Sequence, residues 1–214
     1  MSRPINITAI VGSYRKGETV DTVINAVLSA ARDAGAETSK VYLIDKHIEF
    51  CTNCRACTQE QGPGRGACPL EDDMKGILDA IENADALVLG SSINFYTVTA
   101  VMKKFAERLL CYSFWPWGML RPTMRNKKRS KRAVVIISSA APSIMTRLLT
   151  GALKLMKDAA GMLGARTIGV ITIGIAARSP KTQISPRILK KARRLGKELA
   201  SNSPTRQGIG VGSS

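Results

Sequence analysis

Aromatic residues make up 5% of this chain of 214 residues, too sparse a set for the interleaved stacking platforms that hold single-stranded nucleic acid. There is one histidine, His47. Standing just ahead of a cysteine-rich stretch, it reads as a loop residue rather than a catalyst, with substitute metal ligand as the alternative. No apolar run is long enough to span a bilayer, and the first residues pass straight into a strand-like segment with no secretory pattern. The expectation is a soluble cytoplasmic protein, with no membrane partner, in which clustered thiols serve metal or redox chemistry rather than a disulfide framework. Acidic residues are scarce: 16 against 32 lysines and arginines leave a formal charge of +16. That attracts polyanions without implying specific nucleic-acid recognition. The chain also lacks a Walker A sequence and the G-x-G-x-x-G dinucleotide fingerprint.

The basic excess gathers in two places. Residues 187–197 form a helical segment whose charges flank an apolar stripe of Ile188, Leu189, Leu195 and Leu199, the pattern of a solvated helix face. Residues 121–132, including Arg121, Arg125, Lys127, Lys128, Arg129, Lys131 and Arg132, show no such stripe and read as a solvated loop-like run. Contact with an acidic partner or with dinucleotide phosphates is the alternative there.

Short apolar runs alternate with amphipathic helical segments, which predicts an α/β protein with a mostly parallel sheet. Strands are expected at 5–11, 38–44, 84–89, 133–138 and 166–173, and helices at 20–34, 98–111, 144–163 and 185–201. A further helix should open at Glu71, Asp72 and Asp73, acidic residues that suit a helix N-terminus. Five strands with crossover helices suit a three-layer doubly wound five-stranded parallel sheet in one domain over 1–201, interrupted by a cysteine-rich insertion at 47–70. A glycine- and serine-rich flexible tail is expected at 202–214.

Four of the five cysteines fall in that insertion: Cys51, Cys54, Cys57 and, after a glycine-rich segment at 61–66, Cys68 followed by Pro69. Two-residue spacers let three sulfurs converge and the glycines bring the fourth back. Three cysteines in one run and a fourth before proline favour an iron–sulfur centre, with structural zinc and unligated or redox-active thiols as alternatives. Cys111 ends an apolar helical run and reads as a core residue.

Doubly wound folds bind ligands beyond the carboxyl ends of their strands. After the first strand, Gly12 and Ser13 lead through Arg15, Lys16, Gly17 and Thr19 into a helix N-terminus, a combination of hydroxyls, cations and free amides that suits a monophosphate. After the third come Ser92, Ile93, Asn94, Phe95, Tyr96, Thr97 and Val98, which can fold around a flat ring, although Phe95 and Tyr96 read equally as packing residues. After the fourth, Ser138, Ser139, Ala140 and Ala141 supply another small-residue edge. One loop for a phosphate and two for a planar heterocycle together suggest flavin mononucleotide.

From Ile5 to about Ala200 the chain resembles the NADPH-dependent FMN reductase and iron-sulfur flavoprotein family. The resemblance rests on Gly12, Ser13, Arg15, Lys16 and Gly17 followed by Asp21 and Thr22; on the cysteine segment running into Asp72, Asp73 and Met74; on Ala84 and Asp85; and on Met102, Lys103, Phe105 and Arg108. Tyr14 stands where the family commonly has proline, Val20 where a second hydroxyl is usual, and the interval from Cys57 to Cys68 is long. The resemblance implies a flavodoxin-like fold, with Ser13, Arg15, Lys16 and Thr19 on the FMN phosphate, residues 92–98 around the ribityl chain and ring, and residues 138–141 beside the ring. It implies hydride transfer from NAD(P)H to the flavin, then to a small-molecule or redox-protein acceptor, with an iron–sulfur (4Fe-4S) cluster as a possible relay. It further implies a homodimer or homotetramer. The competing reading is a non-catalytic electron carrier that docks to an acidic redox partner.

Overall fold

The computed structural model of the protein describes residues 3–176 and 183–201, with the backbone alone at 147–149. The tail expected at 202–214 lies outside the described residues. In chain order the elements are β1 (Asn6–Gly12), α1 (Thr19–Arg32), β2 (Glu37–Tyr42), α2 (Met74–Glu82), β3 (Ala86–Asn94), β4 (Thr97–Val98), α3 (Ala100–Arg108), β5 (Ser113–Phe114), β6 (Thr123–Met124), β7 (Lys131–Ser138), α4 (Ser143–Leu149), α5 (Ala152–Met162), β8 (Ala165–Ile173) and α6 (Pro186–Ala200).

Five parallel strands lie in the order β2-β1-β3-β7-β8, and β4 folds back antiparallel on β3. The central strands β1, β3 and β7 are nearly continuous runs of buried residues, as expected where helices cover both faces of a parallel sheet. Ile10, Leu87, Leu89 and Val135 pack on one face with Met102 and Phe105 of α3 and Met156 of α5. Ile7, Val11, Val88 and Val134 pack on the other with Val20 and Ile24 of α1 and Leu195 of α6. Register aligns Gly12 with Ser91 and Ser92 with Ser138, so the first, third and fourth parallel strands end side by side.

Several boundaries differ from expectation. The strand expected at 84–89 runs on to Asn94 and turns back through Phe95 and Tyr96, both at positive φ (48° and 66°). Such two-residue turns usually contain Asn or Gly, so two aromatics gave no turn signal. The helix expected from residue 98 begins at Ala100 because the Thr99 side chain caps it, accepting from the Met102 amide at 3.3 Å. Residues 144–163 form two helices rather than one, since Thr150 is extended and Gly151 follows it. The acidic trio does not lie inside the first turn of α2. Asp73 immediately precedes the helix, and Asp72 accepts from the Met74 amide at 2.9 Å while pairing with Arg108.

Candidate functional site at the strand ends and the cysteine loop

The loop after β1 is shaped from below by Asp21. Its carboxylate, almost fully buried, accepts from the Gly17 amide at 2.7 Å, from Lys40 Nζ at 2.7 Å and from the Tyr42 hydroxyl at 2.9 Å. Burial alone would raise the Asp21 pKa, but the bonds from Lys40, Gly17 and Tyr42 outweigh it and hold the carboxyl below its usual range. Gly17 has φ +75°, a left-handed conformation suited to glycine, which turns its amide toward Asp21. Ser13 is buried, and its hydroxyl exchanges contacts with the Arg15 amide and carbonyl at 3.3 and 3.4 Å. Arg15 is exposed. Lys16, expected beside it on a phosphate, pairs with Asp45 at 2.6 Å and lies over the Tyr42 ring.

Thr19 opens α1, is 5% exposed, and its hydroxyl has no hydrogen-bond partner. A buried hydroxyl with no acceptor or donor costs on the order of 1–3 kcal/mol. Its place at a helix N-terminus below a loop of hydroxyls and cations fits an anion that would complete it. The next residue, Val20, packs in the core between α1 and the sheet, which accounts for the missing second hydroxyl.

Hydroxyls stitch the strand ends together. The Gly12 carbonyl accepts from Thr99 Oγ1 at 2.7 Å and Ser91 Oγ at 3.3 Å, and Ser138 Oγ donates to Ser92 Oγ at 3.3 Å. Ser139 is buried, and its hydroxyl is shared with the Ala141 carbonyl and Thr146. Of the expected ring-binding residues, Val98 belongs to the core, Ser92, Ile93 and Thr97 are half-buried, Asn94 and Ala140 are exposed, and Ala141 is half-buried. Phe95 and Tyr96 are 94% and 73% exposed, so they do not pack into the fold. Tyr14, Ile144, Met145 and Ile175 also stand exposed on the loops and helix that leave these strand ends.

The cysteine loop is closed at its neck by paired contacts. The His47 amide donates to Asp73 Oδ2 and the Asp73 amide to the His47 carbonyl, each at 2.9 Å, while the Glu49 amide reaches Asp72 Oδ2 at 2.7 Å. His47 itself pairs with Glu49 in solvent. Arg108 and Asp72 form an ion pair with side chains 3% and 0% exposed. The Arg108 guanidinium also donates to the Glu49 carbonyl at 2.9 Å and approaches Cys68 Sγ at 3.5 Å. At Gly66 an added Cβ would lie 1.8 Å from the Cys57 carbonyl oxygen, so only glycine fits where the loop doubles back. A cavity of about 720 Å³ opens beside Cys68, with Arg65, Lys75, Arg108 and Cys111 in its wall.

Burial pushes the Cys57 thiol up, and the charges of Cys68, Cys51 and Cys54 push it further. Cys54 is exposed, and hydrogen bonds from the Ala56 amide and the Thr52 side chain hold it below the usual thiol range. Buried Cys111 is pushed up to about 12, as a core thiol would be. Among the described residues, however, no group of three or more His, Cys, Asp or Glu side chains is disposed to hold a metal ion. The donor set has the chemistry of a soft-metal or iron–sulfur site, while its side chains are not gathered around one centre.

The basic run at 121–132 is not simply solvated. Arg125 donates to the Ser113 and Cys57 carbonyls at 3.1 and 3.0 Å, Lys131 to the Glu82 carbonyl at 2.8 Å, and Arg132 to the Glu198 and Leu199 carbonyls at 2.7 and 2.9 Å. These cations tie loop and helix ends together and leave Arg121, Lys127, Lys128 and Arg129 exposed. Sequence reasoning missed this use because carbonyl partners of side chains leave no pattern in composition.

Strand order and the helices on both faces of the sheet define a flavodoxin-like α/β protein. The chain belongs to the NADPH-dependent FMN reductase family, whose model matches residues 5–178. It is 29% identical over 193 residues to an iron-sulfur flavoprotein of Archaeoglobus fulgidus, a match covering 89% of this chain and 77% of that protein. An iron-sulfur flavoprotein of Methanocaldococcus jannaschii is 32% identical over 104 residues, covering 49% of this chain and 51% of that one. Among solved structures, an NAD(P)H:quinone oxidoreductase from Methanothermobacter marburgensis superposes with TM-score 0.64 at 20% identity, over 92% of this chain and all of that one (100%). An FMN-dependent NADH-azoreductase from Bacillus anthracis, in complex with FMN, gives TM-score 0.64 at 14% identity, over 91% and 97%. Family membership makes the protein a flavin-dependent oxidoreductase. No helix among the described residues is long and apolar enough to cross a membrane.

Proposed function

We propose that the protein binds FMN at the strand ends, takes hydride from NAD(P)H and passes electrons to a small-molecule or protein acceptor in the cytoplasm. The observation that carries this reading is the Thr19 hydroxyl, buried and without a partner at the first residue of α1. Ser13, Arg15, Gly17 and Thr19 would hold the phosphate. Asp21 shapes the loop through the Gly17 amide, and Lys16 contributes its charge from its place against Asp45. Ser92, Asn94, Phe95, Tyr96 and Thr97, with the backbone at 138–141, would border the ribityl chain and ring. When bound, the flavin supplies the hydride-accepting chemistry, and the protein supplies orientation and exclusion of water. Exposed Phe95, Tyr96, Ile144 and Met145 beside the binding edge support a homodimer or homotetramer in which a second copy covers it.

Cys51, Cys54, Cys57 and Cys68 would ligate an iron–sulfur cluster. Their spacing and the names of the curated relatives support this. The direct test is the absorbance of protein purified anaerobically, then denatured, with iron and acid-labile sulfide assayed in parallel. A released flavin spectrum and anaerobic NAD(P)H oxidation with an artificial acceptor are expected. A colourless protein that takes up no FMN at micromolar concentration overturns the flavin reading. Flavin binding without NAD(P)H oxidation favours the carrier over the enzyme.

A further inference from the structure

We infer that the segment between α3 and β7 is a clasp for the cysteine loop and that Arg55 is its positioning residue, fixing the bend that separates Cys54 from Cys57. The inference rests on reading these cysteines as a metal-binding set. The bend is unusual in its backbone. Asn53 and Arg55 both adopt left-handed conformations, with φ of 54° and 58°. A non-glycine residue held there costs on the order of 1–3 kcal/mol and persists only where its surroundings over-determine it.

The surroundings do so. The Arg55 guanidinium lies between two indoles, 3.9 Å from the Trp115 ring centroid and 4.2 Å from that of Trp117. Its Nη2 donates to the Trp115 carbonyl and, at 3.1 Å, to the Pro116 carbonyl. The Trp115 amide donates to the Thr58 carbonyl at 2.9 Å, and the Trp117 amide to Gln59 Oε1 at 3.1 Å. From the other arm, Arg125 bridges the Ser113 and Cys57 carbonyls. All of these bonds but the one from Arg125 to the Ser113 carbonyl join residues 55–59 to residues 113–125, and the two indoles are the only tryptophans in the chain.

Packing alone would be served by an apolar residue between two indoles. A cation there, one residue after Cys54 and two before Cys57, does something more. Its bonds to the Trp115 and Pro116 carbonyls fix the backbone between the two cysteines and so limit how far their thiols move relative to one another while no metal is bound. Metal capture should therefore register on both tryptophans.

The test uses full-length, reduced, metal-free protein under anaerobic conditions, titrated with Co²⁺. Thiolate-to-cobalt charge-transfer absorbance reports ligation, and tryptophan emission is followed in the same sample. In the wild type both signals should move with one midpoint. Arg55→Asn, which tolerates the left-handed backbone, should keep its far-UV circular dichroism, emit at longer wavelength before metal is added, and need about 10- to 100-fold more cobalt. Arg55→Lys, which keeps the cation but loses the planar fork, should recover part of that loss. An Arg55→Asn protein that titrates like the wild type overturns the inference, as does wild-type emission that ignores a growing thiolate band. If Arg55→Asn loses its circular dichroism, Trp117→Phe at a 66% exposed position asks the same question; a smaller shift in the same direction supports the clasp and no shift overturns it. A wild type with no thiolate band overturns the metal reading by itself. Emission then judges the clasp, a longer wavelength in Arg55→Asn supporting it and an unchanged spectrum overturning it.

Discussion

The strand-end edge, which we propose holds FMN, and the cysteine loop, which we propose holds a cluster, are held in opposite ways. At the edge, backbone and short hydroxyl side chains from neighbouring strands do the work: the Gly12 carbonyl receives Ser91 and Thr99, and Ser92 meets Ser138. The cysteine loop contributes no strand to the five-stranded sheet. Arg108 and Arg125 hold it from outside and Arg55 from within, each reaching a carbonyl, carboxylate or sulfur distant in sequence. A site at strand ends inherits its rigidity from the sheet, whereas a site on an insertion needs long side chains whose removal exposes its dependence on each of them.

The sharpest way to break the comparison is at the buried ion pair. Asp72→Ala leaves Arg108 buried beside Cys68 with no carboxylate, and removing one partner of such a pair costs about 3–5 kcal/mol. Urea unfolding at neutral pH should register that loss, and Asp72→Ala with Arg108→Met together should recover part of it. The pH dependence has a definite sign. Burial works to raise the Asp72 pKa, but bonds from Arg108 and the Glu49 and Met74 amides outweigh it and hold the carboxyl below its usual range. The unfolded chain thus binds the proton more readily, so the stabilisation is complete above the ordinary carboxylate value of about 3.9 and is lost as pH falls below it toward the folded value. Asp72→Asn should flatten that acid limb, and an unchanged limb would mean that other carboxylates govern it.

At the strand ends the comparison sharpens between two adjacent cations. Arg15 is exposed and has no carboxylate partner among the ion pairs described, whereas Lys16 pairs with Asp45. A charge-assisted bond to phosphate contributes on the order of 1.5–3 kcal/mol, so Arg15→Ala should weaken FMN binding by roughly 10- to 150-fold. Riboflavin, which lacks the phosphate, should be unaffected. Lys16→Ala should have the smaller effect, since its charge is already partly neutralised. Equal losses for FMN and riboflavin would make Arg15 a support for the loop.

Gly66→Ala returns to the insertion. Its Cβ would stand 1.8 Å from a backbone oxygen that cannot rotate away, and overpacking of this kind costs about 1–3 kcal/mol. Because the clash falls on Cys57, the expected signature is local: faster alkylation of Cys57, which is only half-buried at the outset. Alkylation at the wild-type rate would show that the loop does not need this close approach.

These contrasts also explain what could be read from the chain alone. The parallel sheet and its covering helices follow from local patterns of apolar runs and amphipathic segments, and the glycine, hydroxyls and cations after the first strand are what carry the proposed phosphate loop. Arg55 and Pro116 lie 61 residues apart, and Arg125 and Cys57 lie 68 apart. Nothing in the neighbourhood of either residue announces its partner, so the cations of 121–132 read as solvated when Arg125, Lys131 and Arg132 are internal ties. The Phe95–Tyr96 turn was hidden for a different reason. Its positive φ angles fall on residues that seldom adopt them, and only the pairing of β3 with β4 makes the turn visible.

The smallest expected effect separates stability from binding at one atom. Thr19 Oγ1 is buried without a partner, and a group in that state opposes folding while it awaits a ligand. Thr19→Val keeps the shape of the side chain and removes the hydroxyl. The flavin-free protein should then gain about 1 kcal/mol in urea unfolding, because an unsatisfied buried group has been deleted. FMN affinity, followed by quenching of flavin fluorescence, should fall about tenfold in the same variant, since one bond to the phosphate is gone. The opposite signs are the diagnostic. Losses in both measurements would show the hydroxyl to be structural, with a partner that forms in solution. A gain in stability with unchanged FMN affinity would place the phosphate away from the first turn of α1, and the loop between Ser13 and Gly17 would have to hold it alone.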